Sequence, residues 1–183
     1  MSIAKLIDLI PVPTSPAEVP RPSEWTLLRE SLEIELPEDY EDLINIYGTG
    51  SFGEFLWIFS PFTNNVNINL IEQKRIMLSR LHDVHAECGV PFPFQGYGTD
   101  VELFPLGDTA NGDELFWLYS KNTKKPIQIV INEVRTFDWE YFDPSISSFL
   151  AGIFDGTIEV LTFPDDFPSP EERFHVYVPQ VSK

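Results

Sequence analysis

His82, His85 and Cys88 recur at steps of three near the end of a helical pattern. Residues at i and i+3 share a helix face, and imidazole and thiolate are the ligands zinc prefers. A closed tetrahedral site needs more, and the chain holds no second HxxH and no CxxC. A histidine near a helix C-terminus is also favoured by the helix dipole alone. The spacing therefore predicts two helix-end histidines, no metal and no cofactor.

Nucleophilic chemistry finds no better support. The chain has no GxSxG elbow, no Cys–His signature and no GxxxxGK[ST] phosphate loop. Carboxylates are so abundant that any two could be paired as acid and base, which gives that pairing no specificity. Gly48 to Gly53 could cradle an anion, but acidic neighbours oppose it. A tight helix-to-strand corner that needs positive φ accounts for these glycines. The residues point to a protein that is not an enzyme.

The charge narrows the partners. Of 183 residues, 29 are acidic and 12 are Lys or Arg, for a formal net charge of −17 and a pI near 4.3. Nucleic acid requires a basic footprint, and the anionic face of a membrane repels this balance too. A basic protein would be attracted. An acidic surface also promotes solubility by itself, and the charge alone does not decide between the two readings. From Glu24 to Asp42 there are eight acids against one base, Arg29. That excess is the first candidate partner surface.

Length and composition suit one packed domain, 1–183, with 43% hydrophobic and 14% aromatic residues. The single cysteine permits no intramolecular disulfide, which fits a reducing cytosol. Residues 2–12 lack a small-residue cleavage site, so no signal peptide is expected, and no apolar run approaches the ~20 residues of a membrane span.

The elements follow from periodicity and punctuation. Ser2 to Ile10 reads as a short amphipathic helix, and five prolines from Pro11 to Pro22 make a connector; together they form an N-terminal section, 1–22. Ser23 is placed to cap a second helix, with Trp25, Leu28 and Leu32 inward. Leu36-Pro37-Glu38-Asp39-Tyr40 opens a third. There Pro37 suits the helix start, and Tyr40, Leu43, Ile44 and Tyr47 fall on one face up to Gly48. Thr49, Gly50, Ser51 and Gly53 read as a flexible turn, and Phe55 to Phe59 as a buried strand that contains Trp57 and ends at Ser60-Pro61.

Leu70 to Glu87 is the clearest long helix, with Ile71, Met77, Leu78, Leu81 and Val84 on its inner side and Lys74, Arg75 and Arg80 as a basic patch. Pro91 to Thr99 is a loop. Strands are expected at 55–60, 101–106, 114–120 and 126–132. Gly107 to Gly112 forms a turn, and Lys121 to Lys125 a basic hairpin tip of the kind that protects against edge pairing. Asp143-Pro144 is placed to start a last helix. Residues 157–183 read as an irregular acidic segment.

The stretch Leu36-Pro37-x-x-Tyr40, the helix ending in Tyr47-Gly48-x-Gly50, and Leu56-Trp57-Ile58 running into Pro61 together resemble the SUKH superfamily. That superfamily groups yeast cell-wall-synthesis regulators with bacterial toxin-immunity proteins. The resemblance implies an α+β fold, a mostly antiparallel sheet with helices packed on one face. It also implies a non-catalytic cytoplasmic immunity protein that binds and neutralises a polymorphic or contact-dependent toxin domain, a nuclease by preference, because nucleases are basic. A signalling or scaffold domain of the cell-wall-regulator type is the alternative. Glu38, Glu41, Asp42, Asp165 and Asp166 are the acids expected to face a basic toxin, in a protein that is a monomer or weak dimer.

Overall fold

A computed structural model describes residues 3–89, 100–169 and 173–179. The elements, in chain order, are α1 (Ala4–Leu9), α2 (Pro22–Ser31), α3 (Glu38–Tyr47), β1 (Gly50–Phe52), β2 (Leu56–Ile58), α4 (Leu70–Cys88), β3 (Val101–Thr109), β4 (Glu114–Ser120), β5 (Pro126–Asn132), β6 (Trp139–Phe142), α5 (Ile146–Phe154) and β7 (Phe174–Val176). All pairings in the sheet are antiparallel, in the order β6-β5-β4-β3-β2-β1-β7. The fold is the expected α+β class.

The sheet is the floor of the core. Leu115 to Tyr119 of β4 and Ile129 to Ile131 of β5 are fully buried, as continuous apolar strands are when both faces are covered. Helix α3 lies on one face through Tyr40, whose ring meets that of Trp117 edge-on at 5.1 Å. Helix α5 packs on α3 and α1, and its fully buried Ile146, Phe149 and Leu150 join the same core. The Tyr47 hydroxyl donates to the Ile10 carbonyl at 2.6 Å, and Lys5 pairs with Asp155, so α1 is tied down at both ends. Helix α4 packs on β3. Its Arg80 reaches Glu114, which the ladder turns to the face opposite Trp117.

Several local expectations are corrected. The glycine turn after α3 is half strand. Gly50–Phe52 pairs with β2 on one side and β7 on the other, and the real turn is Gly53-Glu54, both at positive φ. The strand expected at 55–60 contracts to Leu56–Ile58. Within it Trp57 is half-buried, because its register neighbours put it on the face away from Leu56 and Ile58. Gly107 continues β3 and does not open a turn; a Cβ there would overlap the Trp57 carbonyl oxygen.

Helix α2 starts two residues earlier than a Ser23 cap would allow. Pro22 takes its first position, and the Glu24 carboxylate accepts the Arg21 N–H at 2.7 Å. The last helix is capped by Ser145, not Asp143. Ile71 faces outward, and Gln73 takes its place against the core. Two strands, β6 and β7, were not expected, and β7 interrupts the segment read as irregular. The Pro91 to Thr99 loop lies outside the described residues. Among the described residues no helix is long and apolar enough to cross a membrane.

Candidate protein-interaction surface

The acid-rich stretch between α2 and α3 is held rigidly from below. Ile34 and Leu36 are buried while Glu33 and Glu35 are exposed, an alternation that makes the connector behave like a strand. Its backbone is fixed to the β4–β5 hairpin: the Glu35 N–H donates to the Lys124 carbonyl at 2.9 Å, and the Tyr119 hydroxyl donates to the Glu35 carbonyl at 3.0 Å. Burial pushes the Tyr119 hydroxyl far above the usual phenol range, so it serves only as a neutral hydrogen-bonding group. Helix α3 then begins with Glu38, Asp39 and Glu41 in its first turn, where the dipole favours carboxylates.

These acids have different fates. Asp39 turns inward and accepts from the Ser147 N–H at 3.0 Å and from the Ser145 and Ser147 hydroxyls at 2.8 and 3.1 Å, which locks α3 to the start of α5. Glu41 is gripped by Arg29 of α2, with one arm at 2.9 Å, and this hydrogen bond raises the guanidinium pKa. Glu35 pairs with Lys125 at 3.4 Å. Glu38 and Asp42 are exposed and have no basic partner among the described residues.

Two clefts open here. One, of about 560 Å³, lies among Arg29, Glu33, Glu41 and Lys124. The other, of about 520 Å³, is lined by Asp42, Lys125 and Ser145, and both share Glu35, Leu36 and Glu38. Of the five acids singled out in the sequence, Glu38, Glu41 and Asp42 are therefore brought together around these clefts. Asp165 and Asp166 are exposed in the segment after α5, and Asp165 lines a separate cleft of about 400 Å³ with Ile158 and Phe163. No cleft among the described residues unites them with the α3 acids. The sequence reading missed Lys124 and Lys125. They sit at a hairpin tip far along the chain, and no local pattern shows that the tip folds back onto Glu35.

A second polar cluster lies on the opposite face of the sheet. The ladder aligns Asp108, Glu114 and Asn132 across three strands. Glu114 is only 2% exposed; it accepts from Arg80 and, at 3.2 Å, from the Asn132 amide. Burial raises the Asp108 carboxyl to about 7, with Arg80 opposing the shift and Glu114 adding to it. The cluster anchors α4, and no hydroxyl or thiol nucleophile is hydrogen-bonded to it among the described residues.

His82 is exposed beside Asp83 at 3.7 Å, Cys88 is exposed, and the His85 side chain lies outside the described residues. Among the described residues no group of three or more His, Cys, Asp or Glu side chains is placed to hold a metal. Gly48-Thr49-Gly50-Ser51-Phe52-Gly53 carries GxGxxG spacing, which went unrecognised in the sequence when these glycines were weighed as an anion cradle and assigned to a corner. A dinucleotide cradle needs that motif between a strand and a following helix. Here it runs from the end of α3 into a β-hairpin, so the glycines are followed by strands and not by a helix.

The sequence that builds this surface matches a known family model. The profile of the SUKH_6 family, described as SMI1-KNR4 cell-wall, matches residues 23–150, well over half of the chain. The chain belongs to the SUKH_6 family. No curated protein and no solved structure matches it. The SUKH_6 match runs from α2 into α5 and contains both acidic clefts' α3 walls and the β4–β5 hairpin. α1, β7 and the segment with Asp165 and Asp166 lie outside it.

Proposed function

We propose that this SUKH domain is a non-catalytic immunity protein. In this reading it acts in the cytoplasm as a monomer or weak dimer, binds the toxic domain of a polymorphic or contact-dependent bacterial toxin, and blocks it sterically. The target is basic, a nuclease domain being the preferred class, since nucleases carry cations to grip phosphate. The observation that carries the reading is the surface at the start of α3. Glu38 and Asp42 stand exposed beside clefts in which two further acids, Glu35 and Glu41, already hold the molecule's own Lys125 and Arg29. A site that seats a guanidinium and an ammonium from its own chain has the shape and charge to seat those of a partner.

A second reading has its own support. The family description names cell-wall proteins, which favours a signalling or scaffold domain that binds a protein of that machinery. Co-expression separates the two. The domain is produced together with the C-terminal domain of a large secreted protein encoded beside it, and growth is scored. Rescue by the wild type, lost with Glu38→Lys/Asp42→Lys, is expected. No rescue, with the charge-reversed protein still folded, would overturn the immunity reading.

A further inference from the structure

Strand β7 closes the sheet beside β1. The Gly53 N–H donates to the Arg173 carbonyl and the Tyr177 N–H to the Thr49 carbonyl, each at 2.9 Å, in register with Ser51 opposite His175. Residues 173, 175 and 177 thus turn their backbone groups toward β1. Alternation in an antiparallel ladder then turns the N–H and C=O of Phe174 and Val176 outward. Among the described residues no strand lies beyond them.

This edge runs into a cleft of about 690 Å³ lined by Glu18, Asn64, Val66, Asn67, Tyr177 and Val178. Two apolar side chains stand exposed there, Val178 at 77% and Val66 at 54%. Glu18 holds an unusual positive φ of 53°, and its buried Oε2 has no hydrogen-bond partner among the described residues. At the other end of the strand Glu54, also at positive φ, pairs with His175 at 3.3 Å. An open edge offers main-chain bonds to an added strand, and an unpartnered carboxylate oxygen calls for a charged donor.

We propose that β7 accepts an extended segment of a basic protein partner as an eighth strand, with a lysine or arginine of that segment entering the cleft against Glu18. The inference rests on the reading that the domain binds protein. The charge selects the occupant. A second copy of this chain would bring its own Glu18, Glu54 and a net charge of −17 to the same edge, whereas a basic strand brings the complement.

The test uses a synthetic peptide that alternates valine and lysine, followed by amide exchange and chemical-shift titration of the whole protein. Protection of the Phe174 and Val176 amides by about tenfold or more at saturating peptide is expected, equivalent to about 1.4 kcal/mol. Val176→Pro removes an outward N–H and leaves the β1 pairing of His175 and Tyr177 intact, so it should abolish that binding. Glu18→Gln should weaken it. The same peptide with alternate amides methylated should not bind wild type, which decides the matter if Val176→Pro fails to fold. Absent protection, undiminished binding of the methylated peptide, equal binding of a valine–glutamate peptide, or dimerisation through β7 would each overturn the proposal. Those outcomes leave the acidic clefts untouched, because growth rescue tests them separately.

Discussion

Tyr40 donates its hydroxyl to the carbonyl of Phe59 at 2.7 Å, and both residues are fully buried. One bond thereby ties the first turn of α3 to the end of β2, across the hairpin that the glycines allow. Burial pushes the Tyr40 hydroxyl well above the usual phenol range, so it remains a donor at any working pH. Tyr40→Phe would keep the ring contacts with Trp25 and Trp117 but leave the carbonyl unbonded. A loss of about 1–3 kcal/mol is expected in urea unfolding. An unchanged midpoint would show that this bond contributes nothing net.

Gly48 ends α3 at φ 71° and ψ −152°, outside the left-handed cap region. A Cβ there would also overlap the Ala17 carbonyl oxygen, because the connector bridges to Gly48. Asparagine tolerates the left-handed region but not this one, so Gly48→Asn should destabilise by at least about 1–3 kcal/mol, as badly as Gly48→Val. Gly89, at φ 66° and ψ 19° with no described residue other than its chain neighbours within 4 Å of an added Cβ, should accept asparagine at little cost. Thermal unfolding of the pair checks this; a harmless Gly48→Asn would refute it.

Trp117, not Trp57, is the fully buried tryptophan of the sheet. Trp117→Ala should cost about 3–5 kcal/mol, and Trp57→Ala clearly less. Equal losses in denaturant midpoint would contradict the register that puts Trp57 on the other face.

Asp108 gives stability a pH dependence of defined sign. Its carboxyl titrates near 7 when folded and at an ordinary lower value when unfolded. The folded state therefore binds the proton more tightly, and stability falls as pH rises through the window between the two values. Asp108→Asn removes that component. Relative to wild type, the variant should gain at least about 1 kcal/mol between about pH 5 and about pH 8, since each pH unit crossed inside that window costs the wild type up to ~1.4 kcal/mol. Parallel pH–stability curves for the two proteins would show that Asp108 does not titrate there.

How much of this was legible in the sequence depends on where each force acts. Helix α3 could be read because Tyr40, Leu43, Ile44 and Tyr47 keep helical spacing between a proline and a glycine. The β4–β5 hairpin could be read from its apolar runs and lysine-rich tip. β1 could not, because Gly50-Ser51-Phe52 is extended only through its partners on both sides, one of them from the far end of the chain. At the candidate surface the excess of acids was plain, but which ones are neutralised was not. Glu41 meets Arg29 from another helix, Glu35 meets Lys125 from the hairpin, and Asp39 is consumed by the start of α5.

Those pairings decide which acids to probe. Replacing Glu41 would release Arg29, whereas Glu38 and Asp42 can be neutralised with little effect on folding, since exposed charges contribute little to stability. The decisive measurement is stopped-flow association of the domain with the partner domain that the co-expression test identifies, across a salt series. Steering by this surface should raise the wild-type rate above the unsteered ~10⁵–10⁶ M⁻¹s⁻¹ and fade as the Debye length shrinks from about 10 Å at 0.1 M to about 3 Å at 1 M. Glu38→Gln/Asp42→Asn should slow association and flatten its salt dependence while dissociation stays nearly constant. A wild-type association rate indifferent to salt, or a double variant indistinguishable from it, would contradict the claim that the start of α3 receives a basic partner.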